Sequence, residues 1–316
     1  MKGALRLLLV AAILAIAWKV RGGFGDIGGA LDRAGWQGVA VVTVLHLLPL
    51  ALCGISWGLL MPGGSPALFI LARWVRDGVG ELAGFLPMSG EVAAVRLLTL
   101  MGLRPGLGAA LTVVDLTAEA LSQFVFSLFG VGLWMALHPH TDAARWGMIG
   151  LAVSVPIVMA LLAVQHSSVL GFLSGLPAKL MPSVWQKGGE GGLMATVSEI
   201  YGDRRRVMRS ILVHLAAWVA GCIEAWAALH MLGHPLDWPD VIALESLIFA
   251  IRSAAFVVPA GLGLQEGGYV LIGAALGLPA EVALAVSLLK RGRELILGLP
   301  TLLVWHWMEG RNGKAA

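Results

Sequence analysis

Residues 37–60 hold no charged side chain, and long apolar runs recur at about 4–20, 106–137, 146–165, 208–232 and 280–307. A helix needs about 20 residues to cross a hydrocarbon core of about 30 Å. In lipid every backbone N–H and C=O must be bonded within the protein, which leaves helices and closed barrels as spanning structures. These runs are far longer than barrel strands, so the expected fold is an all-α integral membrane protein with about six full transmembrane helices. Composition agrees, with 58% hydrophobic and 13% charged residues and a mean hydropathy of +0.84. Residues 1–316 read as a single polytopic domain, with no stretch long enough for a separate soluble catalytic unit. A net charge of +3, dispersed along the chain, gives nucleic acid nothing to bind.

Two segments between these spans, 66–104 and 239–278, are apolar but interrupted, and are read as re-entrant hairpins. The first carries Pro87 and Gly90 just before Glu91. The second carries Pro259, Gly261 and Gly263 just before Glu266. A shift of 175 positions places Glu91 on Glu266, Gly102-Leu103 on Gly277-Leu278, Ala110 on Ala285 and Glu119 on Glu294, with a three-residue gap between proline and glutamate. Acidic residues are scarce in this chain, so two glutamates at one offset mark an internal repeat. The halves are 1–165 and 208–316, joined by a loop at 166–207. Three full spans separate the hairpins, an odd number, which inverts the second copy. Broken helices in inverted repeats line transporter sites near the bilayer midplane, and irregular backbone at that depth must face protein or a watery cavity.

Lysine and arginine placement orients the chain. Lys2 and Arg6, the hairpin residues Arg73, Arg76, Arg96 and Arg104, the middle-loop Lys179, Lys187, Arg204, Arg205, Arg206 and Arg209, and the terminal Arg311 and Lys314 fall on one side. Both termini are therefore expected in the cytoplasm of a cell whose inner membrane holds this multi-pass chain. The loop at 19–35, with Lys19, Arg21 and Arg33, is the exception. The middle loop suits a short amphipathic segment on the inner leaflet, its arginines facing anionic headgroups. Trp36, Trp134, Trp146, Trp238, Trp305 and Trp307 sit at predicted span ends, as an aromatic belt would.

Charge inside a spanning helix costs about 2.5–3.5 kcal/mol on insertion scales, so each such residue needs a partner or a role. Asp115, Glu119 and Gln123 recur every four residues and form one polar stripe. The equivalent helix in the second half carries Lys290, Arg291, Arg293 and Glu294, in which Lys290 and Glu294 are spaced to pair. Under the repeat, acidic Asp115 falls on basic Lys290. Arg252 stands in an apolar run, with Glu245 two turns earlier. In the functional reading, Arg252, Lys290, Arg291 and Arg293 hold an anionic lipid headgroup, with Glu91 and Glu266 as counter-charges or gates. In the other, the same residues form ion pairs that fasten hairpins to helices.

Other chemistry is thinly represented. Cys53 and Cys222 lie in apolar segments and read as packing residues. His138/His140 and His230/His234 lack a carboxylate or cysteine at ligand spacing, so no metal and no cofactor is expected. No nucleophile elbow, zinc-protease motif or phosphate loop occurs; Glu91 with Glu266 is the one visible acid-base candidate.

Pro259-Ala-Gly-Leu-Gly-Leu-Gln-Glu266, with Leu276-Gly-Leu-Pro279 and Leu288-Leu-Lys-Arg291, resembles the Pro-x-Gly-x-Gly-x-x-Glu block of the transmembrane flippase domain of lysylphosphatidylglycerol synthases and its stand-alone relatives. Arg73-Trp-Val-Arg-Asp-Gly78, Gly90-Glu-Val92 and Arg96-Leu-Leu98 resemble the branch associated with bacterial hopanoid biosynthesis. Ala260 and Leu262 depart from the double glycine often found after the proline.

The resemblance implies a flippase-like lipid transporter moving a polar or anionic, hopanoid-related lipid between leaflets, or else a non-transporting scaffold for hopanoid biosynthesis. The aminoacyl-transfer domain of the synthases is not found by Ala316, so no enzymatic activity is expected. Expected partners are membrane lipids, then lipid-biosynthetic enzymes and a second copy of the chain.

Overall fold

The computed structural model describes residues 27–82, 88–138, 192–254 and 263–312. The spans expected at 4–20 and 146–165, most of the middle loop, His140, and the breakers Pro87, Pro259 and Gly261 lie outside the described residues. Among the described residues all regular structure is helical: α1 Ile27–Leu59, α2 Pro66–Leu82, α3 Ser89–Leu100, α4 Pro105–Leu137, α5 Gly192–Gly202, α6 Arg204–Met231, α7 Trp238–Ala254, α8 Leu264–Ala275 and α9 Ala280–Asn312. Ala34–Leu59, Pro105–Leu137 and Arg204–Met231 are long and apolar enough to cross a membrane. The 33-residue α4 runs about 50 Å at a rise of about 1.5 Å per residue.

Local sequence sets the helix ends. Pro66 and Pro105 open α2 and α4 at the first helical position, where a missing N–H costs nothing. Gly35, at φ 54 and ψ −164, puts a kink near the start of α1. Asp203 caps α6: its Oδ1 accepts the Arg206 backbone N–H at 3.1 Å and its Oδ2 the Arg206 Nε–H at 2.6 Å. Those bonds, the backbone one first, hold this exposed carboxyl below its ordinary value of 3.8.

The helices gather into two compact units, and α1, α4, α6 and α9 each contribute to both. In the unit of residues 44–126, 152–221 and 294–316, α2 packs on α3. Trp57, Phe69, Val75, Leu97, Leu98, Leu111 and Val114 form its core. Two glycines permit the close approaches. A Cβ on Gly54 would lie 2.5 Å from the Ile70 Cα, and one on Gly90 would lie 2.2 Å from the Arg76 carbonyl oxygen. Gly90 is thus needed for packing at the first break. The end of α9 closes on α2 through Trp74 Nε1–H to the Leu297 carbonyl at 2.9 Å.

In the unit of residues 1–43, 127–151 and 222–293, α7 packs on α8. Val241, Leu244, Ile248, Tyr269, Ile272, Val286 and Leu289 are buried there. Gly130 of α4 lies so close to α7 that a Cβ would fall 1.5 Å from Ser246 Oγ. Trp134 is fully buried and packs on His138. It is a core residue, not a member of an aromatic belt, because this end of α4 is covered by its own unit.

The repeat is visible in element lengths. Helices α2, α3 and α4 have 17, 12 and 33 residues, and so do α7, α8 and α9. The offset is 172 before the break and 175 after it, the three-residue gap inferred from sequence. The caps repeat as well. Met88 and Gly263, both left-handed at φ 62 and 80, precede α3 and α8. At the other ends Leu103 N–H bonds the Leu98 carbonyl and Leu278 N–H the Gly273 carbonyl, each across a left-handed glycine, Gly102 or Gly277. These are Schellman endings, which need glycine for its positive φ.

Candidate functional site

Each unit holds one buried polar cluster. In the α2–α3 unit, two arginines one turn apart on α2 meet the acidic stripe of α4. Arg73 donates from Nη2 to Glu119 Oε1 at 2.7 Å and from Nε to Asp77 at 2.7 Å. Arg76 donates to Asp115 Oδ2 at 2.8 Å and to Glu119 Oε2 at 2.5 Å. Glu91 lies 3.7 Å from Arg76 Nε at the rim. The other Asp115 oxygen is 2.9 Å from His214 Nε2 of α6, and both side chains are fully buried. Asp115, Glu119 and Glu91 are therefore drawn together, around a pair of arginines.

That arrangement corrects the orientation argument. Arg73 and Arg76 were counted as inner-side markers, but at 8% and 7% exposure they are core residues. Removing two such charges from water is tolerable only because carboxylates satisfy them at hydrogen-bond distance. Sequence carried a signal for this, since Arg73/Arg76 and Asp115/Glu119 each present one helix face at i,i+3 and i,i+4 spacing. His214 gave none, being a lone histidine in an apolar run.

In the α7–α8 unit the signs are reversed. At the 172 offset Arg73 becomes Glu245, and at 175 Asp115 becomes Lys290. Lys290 Nζ reaches Glu245 Oε2 at 2.5 Å, and Tyr269 O–H donates to the other Glu245 oxygen. Arg293 bonds Glu224 at 2.8 Å. Lys290 thus reaches across to α7, and Glu294, four residues further along α9, is buried as well. Basic α2 against acidic α4 in one unit becomes acidic α7 against basic α9 in the other. Asp115 and Lys290, expected as mutual complements, each find partners inside their own unit. Glu224, Tyr269 and Ser287 were not singled out from sequence.

The start of α8 adds a further network. Glu266 Oε2 accepts the Gly263 backbone N–H at 2.8 Å and so caps α8. Its Oε1 lies 3.1 Å from Arg291 Nε and 3.3 Å from Ser287 Oγ. Gln265 Nε2–H donates to Ser287 Oγ at 2.9 Å, and Gln265 Oε1 accepts from Arg252 Nη1 at 2.6 Å. Glu266 is therefore a cap and an ion-pair partner at once. Arg252 differs from the other buried cations of this unit: among the described residues its half-buried guanidinium meets a neutral amide and no carboxylate.

Such a charge beside a broken helix has the chemistry to receive an anion. Two of the histidines have local partners: His138 Nε2 lies 2.8 Å from Asp240, and His230 Nδ1 bonds the Trp226 carbonyl at 2.8 Å.

Searches of the curated proteins and of the solved structures return no match. Residues 3–300 match the family model described as Lysylphosphatidylglycerol synthase TM region, nearly the full length of the chain. With its apolar spanning helices and two broken-helix pairs, the chain belongs to this family of membrane domains linked to lipid handling.

Proposed function

We propose that this protein is a flippase-like lipid transporter of the bacterial inner membrane, and that its α7–α8 unit binds the anionic headgroup of the transported lipid. The observation that carries the reading is Arg252, the cation at the second break that no described carboxylate neutralises. Arginine offers a planar fork of donors suited to phosphate. Gln265 holds that fork at the start of α8, and Glu266 with Arg291 fixes the helix end beside it. The acyl or polycyclic tail stays in lipid while the headgroup moves. The hairpins are re-entrant and inverted on this reading, as their matched lengths and caps support. Both termini are cytoplasmic, the activity is transport without bond chemistry, and the branch resemblance makes a hopanoid-related lipid the specific substrate.

A second reading draws on the pairing of Arg73, Arg76, Lys290, Arg291 and Arg293 with carboxylates inside single units. Saturated charges of this kind suit a static membrane scaffold for lipid-biosynthetic enzymes. Leaflet-resolved lipid mass spectrometry of deletion cells separates the two. Complementation by Arg252→Ala should fail and complementation by a chain lacking residues 170–190 should succeed for a transporter. The opposite pattern identifies a scaffold.

A further inference from the structure

The cluster of the α2–α3 unit extends beyond its ion pairs. Cys53 of α1, Glu119 of α4 and His214 of α6 bring one ligand atom each to within 4.8 Å of one another. The geometry points to a transition-metal site here, a Zn²⁺-class centre with three protein ligands from α1, α4 and α6 inside the α2–α3 unit.

The imidazole is the first reason. His214 is fully buried, its Nε2 is engaged by Asp115, and its Nδ1 has no hydrogen-bond partner. A metal-bound histidine commonly donates its other N–H to a carboxylate, which fixes tautomer and ring orientation. Asp115 already stands in that position, at 2.9 Å, and leaves Nδ1 as the ligand atom.

The donor set is the second reason. Thiolate, imidazole and carboxylate together are the ligands of zinc, at about 2.0–2.3 Å from the metal. Ligand atoms around such an ion are about 3.3–3.8 Å apart, so a contraction of no more than about 1.5 Å closes the site. Ser56 Oγ lies 2.8 Å from Ser210 Oγ about one turn away, which holds α1 and α6 in register for it. Each Glu119 oxygen accepts one arginine, and a carboxylate oxygen has a second lone pair to give a metal.

Charge balance is the third. Arg73 and Arg76 stand beside Glu119 and would oppose an added dication. Ligation displaces protons, because thiolate and neutral imidazole are the binding forms. The thiolate that Cys53 presents on ligation and the Glu119 carboxylate together match the charge of one dication.

The site's test does not depend on transport. Full-length protein in detergent, carrying Cys222→Ala so that Cys53 is the single thiol, is titrated with Co²⁺ and then Zn²⁺. The expected result is one Co²⁺ per chain with thiolate-to-cobalt absorption, displacement by Zn²⁺, and at least tenfold slower alkylation of Cys53 once zinc is bound. Cys53→Ser and His214→Gln should each abolish the absorption. Should His214→Gln fail to fold, Cys53→Ser carries the test alone, since a half-buried, near-isosteric change leaves the fold intact. Absence of the thiolate band, or unchanged metal binding in Cys53→Ser, overturns the proposal.

Discussion

Asp115 concentrates the electrostatics of its unit, taking Arg76 on one oxygen and His214 on the other without access to solvent. Asp115→Asn removes one of the two carboxylates bonded to Arg76 and the one facing His214, while Glu119 still neutralises the arginine, a loss of about 1–3 kcal/mol. Thermal unfolding in detergent should show a clear drop in midpoint. Lys290→Met alone should fall comparably, because it strands Glu245. The double variant Lys290→Met with Glu245→Gln should regain much of that loss, since no uncompensated charge is then left buried and the amide oxygen can still accept the Tyr269 hydroxyl. Arg252→Ala, by contrast, breaks one bond to a neutral amide and should shift stability by about 1 kcal/mol or less. Part of this was legible in the sequence: the Asp115–Glu119 stripe and the isolated Arg252 are visible as charges in apolar runs. The partners His214, Tyr269 and Ser287 were not, because nothing in a one-dimensional pattern says which helix faces which.

At the scale of elements, spans and caps declared themselves by length and by proline and glycine. Residues 37–60 and 106–137 are helical almost to the residue within α1 and α4. The glutamates at a common offset located the repeat, and matched helix lengths show how completely the register is kept. Glycines at helix crossings, such as Gly54 and Gly130, carried no signal in the sequence because they sit inside unbroken apolar runs. Gly130→Ala should be destabilising by about 1–3 kcal/mol, because its new methyl meets Ser246 and the helices must part. Gly132→Ala, two residues on with open space around it, should not, and paired melting curves compare them. The α6 cap adds a pH signature. Asp203 is held below its ordinary value in the folded chain, so its contribution is present above that value and fades as pH falls through the folded one. The stability gap between parent and Asp203→Ala should therefore be open at about pH 6 and narrow as the pH is lowered beyond 3.8.

The whole molecule pairs one architecture with two opposite charge patterns. Each unit has a broken-helix pair packed against a long charged helix, with cations on the pair in one unit and on the long helix in the other. The complementary signs of Asp115 and Lys290 were legible in the sequence, but their partners were not. The structure resolves them locally, because a buried charge needs a partner within about 3 Å and each unit supplies its own. Among the described residues the half-buried guanidinium of Arg252 meets no carboxylate, and on it the transport reading rests. The direct test is reconstitution of the purified protein into vesicles that contain a fluorescent anionic phospholipid, with quenching of the outer leaflet. The account predicts lipid movement between leaflets that falls at least tenfold in Arg252→Ala and partly recovers in Arg252→Lys, at unchanged thermal stability. Vesicles in which no lipid crosses, or in which Arg252→Ala moves lipid at the parent's rate, would contradict it.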